Sequence, residues 1–179
     1  MSEFVSTMTT ENVESRIELP PPRFEDLGPR IIAGLRGRFD ASTRGDIPQQ
    51  WAAFAPQIDA APTRVGRAAF GVCFILAAGQ GFDYVSGVEV ADDSHLPAGW
   101  ISLRLPALRY AIFRHEGDVA ALPKMLDAIW HQWLPASQCE LAAGGEGGGD
   151  VPAFFERYDE EFNPHTGTGG IEVWVPLKT

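Results

Sequence analysis

Gly170-Ile171-Glu172-Val173-Trp174-Val175-Pro176-Leu177 decides the fold, because its opening echoes Gly87-Val88-Glu89-Val90 at an offset of 83 residues. The echo extends outward from there. Arg30-Ile31-Ile32-Ala33-Gly34-Leu35-Arg36-Gly37 is answered by Leu108-Arg109-Tyr110-Ala111-Ile112-Phe113-Arg114-His115. The helix signal at Ile47-Pro48, followed by Trp51, Phe54 and Ile58, is answered by Leu122-Pro123 with Leu126, Ile129 and Trp133. The repeated unit therefore reads strand–helix–strand–strand. Two such units can pair about a pseudo-two-fold axis, and the groove between them is a natural ligand site.

Within that plan the chain divides into a polar leader over residues 1–15 and one domain over 16–179, with unit one at about 16–96 and unit two at about 100–179. A short strand is expected at Arg16–Leu19, closed by Pro20-Pro21-Pro22, and a longer one at Arg30–Phe39. Asp46 suits a helix N-cap before Pro48, and the helix runs to about Asp59 with its apolar residues on one face. Ala69–Leu76 and Phe82–Asp92 read as a hairpin turning at Gly79-Gln80-Gly81. Unit two follows the same order: a strand at Arg109–His115, a helix at Val119–Leu134 ending at Pro135, a glycine-rich loop at Gly144–Gly149, and a hairpin of Ala153–Phe162 with Gly170–Leu177.

Charge narrows the function. The chain of 179 residues carries 24 acidic against 14 basic side chains, a net −10, which argues against a nucleic-acid surface. Its two cysteines form no disulfide framework, and no Cys/His pattern marks a metal site. The start lacks the basic and apolar regions of a secretion signal, and no apolar run approaches a membrane span. A cytoplasmic protein without cofactor is the expectation.

The last strand carries the sharpest chemical signal. Ile171, Val173 and Val175 share one face and suit packing against helices, whereas Glu172, Trp174 and Pro176 share the other. A carboxylate beside an indole fits a groove that takes a flat apolar cation, by charge pairing and cation–π contact. An exposed Glu beside a rim Trp is the plainer alternative. Phe154, Glu156 and Tyr158 align on one face of the preceding strand, so Tyr158 or Phe155 can line the same groove, or one of them is simply core. In unit one Glu89, following Tyr84 and Gly87, is the repeat counterpart of Glu172. It reads as a second pocket acid or, beside Asp83, Asp92 and Asp93, as a solvated acidic edge; Trp51 sits on an amphipathic helix face. No nucleophile elbow or Cys/His constellation is present. Any enzyme here would rely on a buried Glu with raised pKa.

With these motifs in order, the chain resembles the GyrI-like, or AraC-type effector-binding, small-molecule-binding domain family. Tyr110–Gly117, Trp133-Leu134-Pro135, Phe155-Glu156-Arg157-Tyr158 and Gly170–Leu177 carry the likeness in unit two, and Trp51 with Tyr84–Val90 in unit one. The resemblance implies an α+β fold: a duplicated β-α-β-β module, an antiparallel curved sheet, helices on its convex face and a central ligand groove. It implies binding of hydrophobic, often cationic aromatic compounds by an acid among aromatics. That role is matched here to Glu172 with Trp174, and with less direct matches at Trp51, Tyr84, Phe155 and Tyr158.

The expected function is thus a stand-alone binding protein for hydrophobic, cationic small molecules, acting as a monomer or homodimer without direct nucleic-acid or membrane contact. Two alternatives stay open. One is a hydrolase of strained or electrophilic compounds with Glu172 as the catalytic group; the other is a protein–protein inhibitor of the kind that antagonises gyrase.

Overall fold

The computed structural model describes residues 17–77, 79–142 and 151–179. The leader at 1–15 and the Gly144–Gly149 loop lie outside them. Eight strands are described: β1 (Arg23–Leu27), β2 (Arg30–Phe39), β3 (Arg64–Ile75), β4 (Phe82–Val90), β5 (Ile101–Leu105), β6 (Leu108–His115), β7 (Phe154–Tyr158) and β8 (Ile171–Leu177). Helix α1 (Ile47–Phe54) continues as a 3-10 stretch over Ala55–Ala60; α2 (Leu122–Ala128) passes through a π turn (Ile129–Trp133) into α3 (Leu134–Ser137).

All strands join one antiparallel sheet in the order β1-β6-β8-β7-β3-β4-β2-β5. From the centre outward it reads β3-β4-β2-β5 on one side and β7-β8-β6-β1 on the other, which is the expected pseudo-two-fold. The edge strands are exchanged between the halves. β1 leads into β2 yet pairs with β6, and β5 leads into β6 yet pairs with β2. Only Gly28-Pro29 and Pro106-Ala107 make these two crossings. Links of two residues span well under 15 Å at about 3.5 Å per residue, so opposite margins of the sheet must lie close together. The sheet therefore curls into a half-barrel.

The curl sorts the side chains. The inner face closes on itself around Ile32, Phe70, Val72, Val85, Tyr110, Ile112, Phe155 and Trp174, with Leu27 and Leu103 from the two edges packed on the same cluster. The outer face carries the helices. Phe113, Ile171, Val173 and Val175 lie under Met125 and Ile129, and Ala33, Val88 and Val90 lie with Phe54 and Trp100. Trp51 packs against both outer clusters and so bridges the two halves.

The register revises the repeat. Gly34 pairs with Gly87, and Ile112 pairs with Trp174. With Ala33 matched to Ala111, Gly87 is then equivalent to Trp174, and Val85 to Glu172. The Gly-x-Glu-Val echo is thus slid along the strand by four residues, and Glu89 is not the counterpart of Glu172. The same registers equate Phe70 with Phe155, and hence Gly71 with Glu156. Gly71 and Glu156 also face each other across the β3–β7 ladder, so the pseudo-axis runs beside them.

Local expectations fail where backbone donors are missing or already used. Ile17–Leu19 is not a strand; pairing starts at Arg23, after three prolines that have no N–H to give. Asp46 stands at the N-cap as expected, but it closes a 3-10 turn and its side chain caps no backbone N–H; its carboxylate takes the Gln49 amide at 3.4 Å. Asp118 is the capping acid, accepting from the Ala120 N–H at 2.7 Å. The second helix does not stop at Pro135. The wider π turn bonds the Leu134 N–H to the Ile129 carbonyl and carries the chain past the proline to Ser137, where left-handed Gln138 ends it.

Candidate functional site

The six residues singled out from sequence fall into two groups on opposite faces of the sheet. Glu172, Trp174 and Phe155 point inward, and Trp51, Tyr84 and Tyr158 gather on the outer face. Each group surrounds a buried glutamate.

On the inner face Glu172 is only 5% exposed and already compensated. Arg23 donates to Oε1 at 2.9 Å, Trp174 Nε1 donates to Oε2 at 3.0 Å, and the guanidinium groups of Arg157 and Arg114 stand at 3.7 and 3.9 Å. Glu172 holds the Arg23 guanidinium above its ordinary pKa, by hydrogen bond first and by charge. Trp174 stacks on Phe155 with centroids 5.3 Å apart, and Arg23 lies over its ring at 5.7 Å. Strand β6 supplies Arg114, β1 supplies Arg23 and β7 supplies Arg157, so three strands enclose one carboxylate.

The outer face holds the glutamate that alternation alone did not single out. Glu156 is 8% exposed, and Tyr84 and Tyr158 both donate to its Oε2, at 2.7 and 2.6 Å. The Trp51 indole N–H donates to the Tyr84 hydroxyl at 3.1 Å, and its ring meets Tyr158 edge-on at 5.5 Å and Tyr84 at 6.5 Å. The side chain of Gln50 fixes this corner: its amide reaches the carbonyls of Leu35 and Tyr84 and the Ser86 hydroxyl. Helix α1 is thereby pinned to β2 and β4, with Trp51 held over the tyrosines.

No Lys, Arg or His comes within ion-pair distance of Glu156 among the described residues. Burial pushes its pKa up, and the two tyrosine hydrogen bonds only oppose the shift. Tyr84 and Tyr158 are raised well above the ordinary phenol range by the same burial, then by the adjacent carboxylate. The neighbouring Cys73 thiol is pushed up to about 12 by burial and is no nucleophile at neutral pH. The site offers one ionisable acid, two phenols and an indole. It is closed in this conformation, with Trp51 as its half-buried cover.

The signal for Glu156 was present in sequence as the Phe154, Glu156, Tyr158 alternation. Its meaning depended on which face the helices cover. Among the described residues no group of three His, Cys, Asp or Glu is placed to hold a metal ion, and no helix is long and apolar enough to cross a membrane.

The fold is thus a duplicated, curled antiparallel α+β sheet with its helices on the outer face. The chain belongs to the GyrI-like small molecule binding domain family, whose model matches residues 20–178. It is similar to the transcriptional regulator BrlR of Pseudomonas aeruginosa, 29% identical over 142 residues that cover 78% of this chain and 49% of the relative. The chain thus spans about half the length of that regulator. Among solved structures it resembles SAV2435, a structure described as bound to tetraphenylphosphonium, with a TM-score of 0.66 and 17% identity over 89% of this chain and 94% of that one. The EcmrR C-terminal domain gives a TM-score of 0.60 and 14% identity over 88% and 97% of the two chains. At these identities the likeness is one of fold.

Proposed function

We propose that the chain binds hydrophobic small molecules carrying a delocalised positive charge, with Glu156 as the counter-charge and Trp51, Tyr84 and Tyr158 as the aromatic walls. The observation that carries this reading is a buried carboxylate, ringed by aromatics, with no cationic partner among the described residues. An uncompensated charge there is costly. A ligand cation removes that cost and gains about 0.5–2 kcal/mol by cation–π contact with a ring. Glu172, the counter-charge expected from sequence, is surrounded by three arginines and has no such vacancy. Entry requires the Trp51 indole to leave the Tyr84 hydroxyl and swing off the tyrosines. The tetraphenylphosphonium bound to a neighbour of the same fold supports the ligand class.

Calorimetric titration with tetraphenylphosphonium and with neutral triphenylphosphine oxide tests this. Saturable binding of the cation, at least tenfold tighter than that of the neutral compound, is expected. Equal affinities would remove the counter-charge from the account.

A second reading, hydrolysis of an electrophilic ligand at the same carboxyl, rests on the raised pKa of Glu156 within reach of two phenols, the character of a general acid or base. Turnover lost in Glu156→Gln with neutral-ligand binding retained would favour it.

A further inference from the structure

The inner face opens at one end into a hollow of about 340 Å³, on the far side of the sheet from Glu156. Trp174 and Phe70 form its floor, and Arg23, Arg30, Arg67 and Arg157 stand around it, with Glu25 and Glu89 as its acids. The balance is four guanidinium groups to two lining carboxylates, with Glu172 behind Arg23 and Arg157 as a third, in a chain whose net charge is −10. Half the basic side chains of the protein, the four named here with Arg36, Arg38 and Arg114, are drawn to this inner face.

The pairing of these arginines is uneven. Arg23 is engaged by Glu25 and Glu172. Arg30 meets Glu89 at 3.6 Å, and Arg157 meets Glu172 at 3.7 Å, both beyond a good hydrogen bond. Arg67 is exposed and forms no ion pair among the described residues. Arg67 and Arg157 therefore keep most of their fork-shaped donors unspent, beside an indole already stacked on Phe155. Guanidinium forks match the planar oxygens of a carboxylate or phosphate two at a time, and the plane of an exposed guanidinium such as that of Arg67 stacks on a flat ring. An anion at this mouth would also relieve the repulsion among the guanidinium groups.

We propose that this hollow is a second ligand site, for a small organic anion that carries a planar apolar group, such as an aryl carboxylate or an aryl phosphate. It is separate from the cation site, from which the thickness of the sheet divides it, and neither site needs the other to exist.

Calorimetry with 1-naphthyl phosphate and 2-naphthoate, on the full chain, tests the assignment. Inorganic phosphate and 2-naphthalenemethanol serve as the two halves of the ligand. Saturable one-to-one binding of at least one naphthyl anion is expected, at least tenfold tighter than either half alone. Arg67→Gln, whose side chain is exposed, and Arg157→Gln should each weaken it by about tenfold, with tetraphenylphosphonium affinity and Tm unchanged in Arg67→Gln. Absence of saturable binding by both naphthyl anions would overturn the site. So would unchanged affinity in Arg67→Gln, or equal affinity for the neutral alcohol or for inorganic phosphate.

Discussion

Gly71 stands directly opposite Glu156 in the β3–β7 ladder, and the absence of a side chain at Gly71 is what leaves room for the carboxylate. A Cβ there would collide with the Tyr84 hydroxyl and reach to 2.8 Å from Glu156 Oε2. The two positions are equivalent in the repeat, so one half of the domain supplies the acid and the other supplies its space.

Gly71→Ala should therefore break the Tyr84–Glu156 hydrogen bond and overpack the corner, destabilising the fold by about 1–3 kcal/mol. Gly28→Ala, where a Cβ meets nothing within 4 Å, should change stability by less than about 0.5 kcal/mol. Urea unfolding of both variants provides the comparison, and equal effects would mean that the corner tolerates the methyl group.

Glu156 also sets a pH dependence. Its pKa is raised in the folded protein, chiefly by burial, so the folded state holds its proton where the unfolded chain has lost it. The contribution of this group to stability is then complete below the ordinary carboxylate range and is lost as pH rises through the folded pKa. Asp83 acts with the opposite sign. The Arg38 hydrogen bond, helped by Arg36, outweighs burial and holds its carboxyl below the ordinary range. Its contribution is present above that range and lost as pH falls. Glu156→Gln should abolish only the loss at rising pH, read as a flatter stability curve on that side.

On the proposed reading cation binding requires the ionised carboxylate, so affinity for tetraphenylphosphonium should rise with pH through the Glu156 titration. Tyr84→Phe and Tyr158→Phe each remove a hydrogen bond that holds the pKa down. In either variant the midpoint of the rise should move to higher pH. A midpoint at the same pH as wild type would show that the phenols do not govern the acid.

Much of the architecture was legible in the chain because it is periodic. The alternation of Ile171, Val173 and Val175 against Glu172 and Trp174 assigned the faces of β8, and the matched helix signals placed both helices. The exchange of β1 and β5 was not legible, since strands of five residues beside Gly28-Pro29 and Pro106-Ala107 look alike whichever half they pair with. The proposed site was half legible for a similar reason. Glu156 and Glu172 both sit two residues before an aromatic, but the arginines that compensate Glu172 come from β1, β6 and β7. Only the folded sheet distinguishes the neutralised glutamate from the uncompensated one.

Glu172→Ala would leave Arg23, Arg114 and Arg157 facing one another without their acid. Breaking a fully buried pair costs about 3–5 kcal/mol; these arginines are 33–47% exposed, so water recovers part of that and a smaller loss is expected. Thermal unfolding should show a lowered Tm with the far-UV spectrum kept at low temperature. An unchanged Tm would mean the three arginines are fully accommodated by solvent.

The most direct measurement is calorimetric titration of tetraphenylphosphonium into wild type, Glu156→Gln and Glu172→Gln at one pH above the Glu156 titration. We expect Glu156→Gln to weaken binding at least tenfold, about 1.4 kcal/mol, and Glu172→Gln to stay within twofold of wild type. The reverse order, with Glu172→Gln crippled and Glu156→Gln intact, would contradict the assignment of the cation site to the outer face.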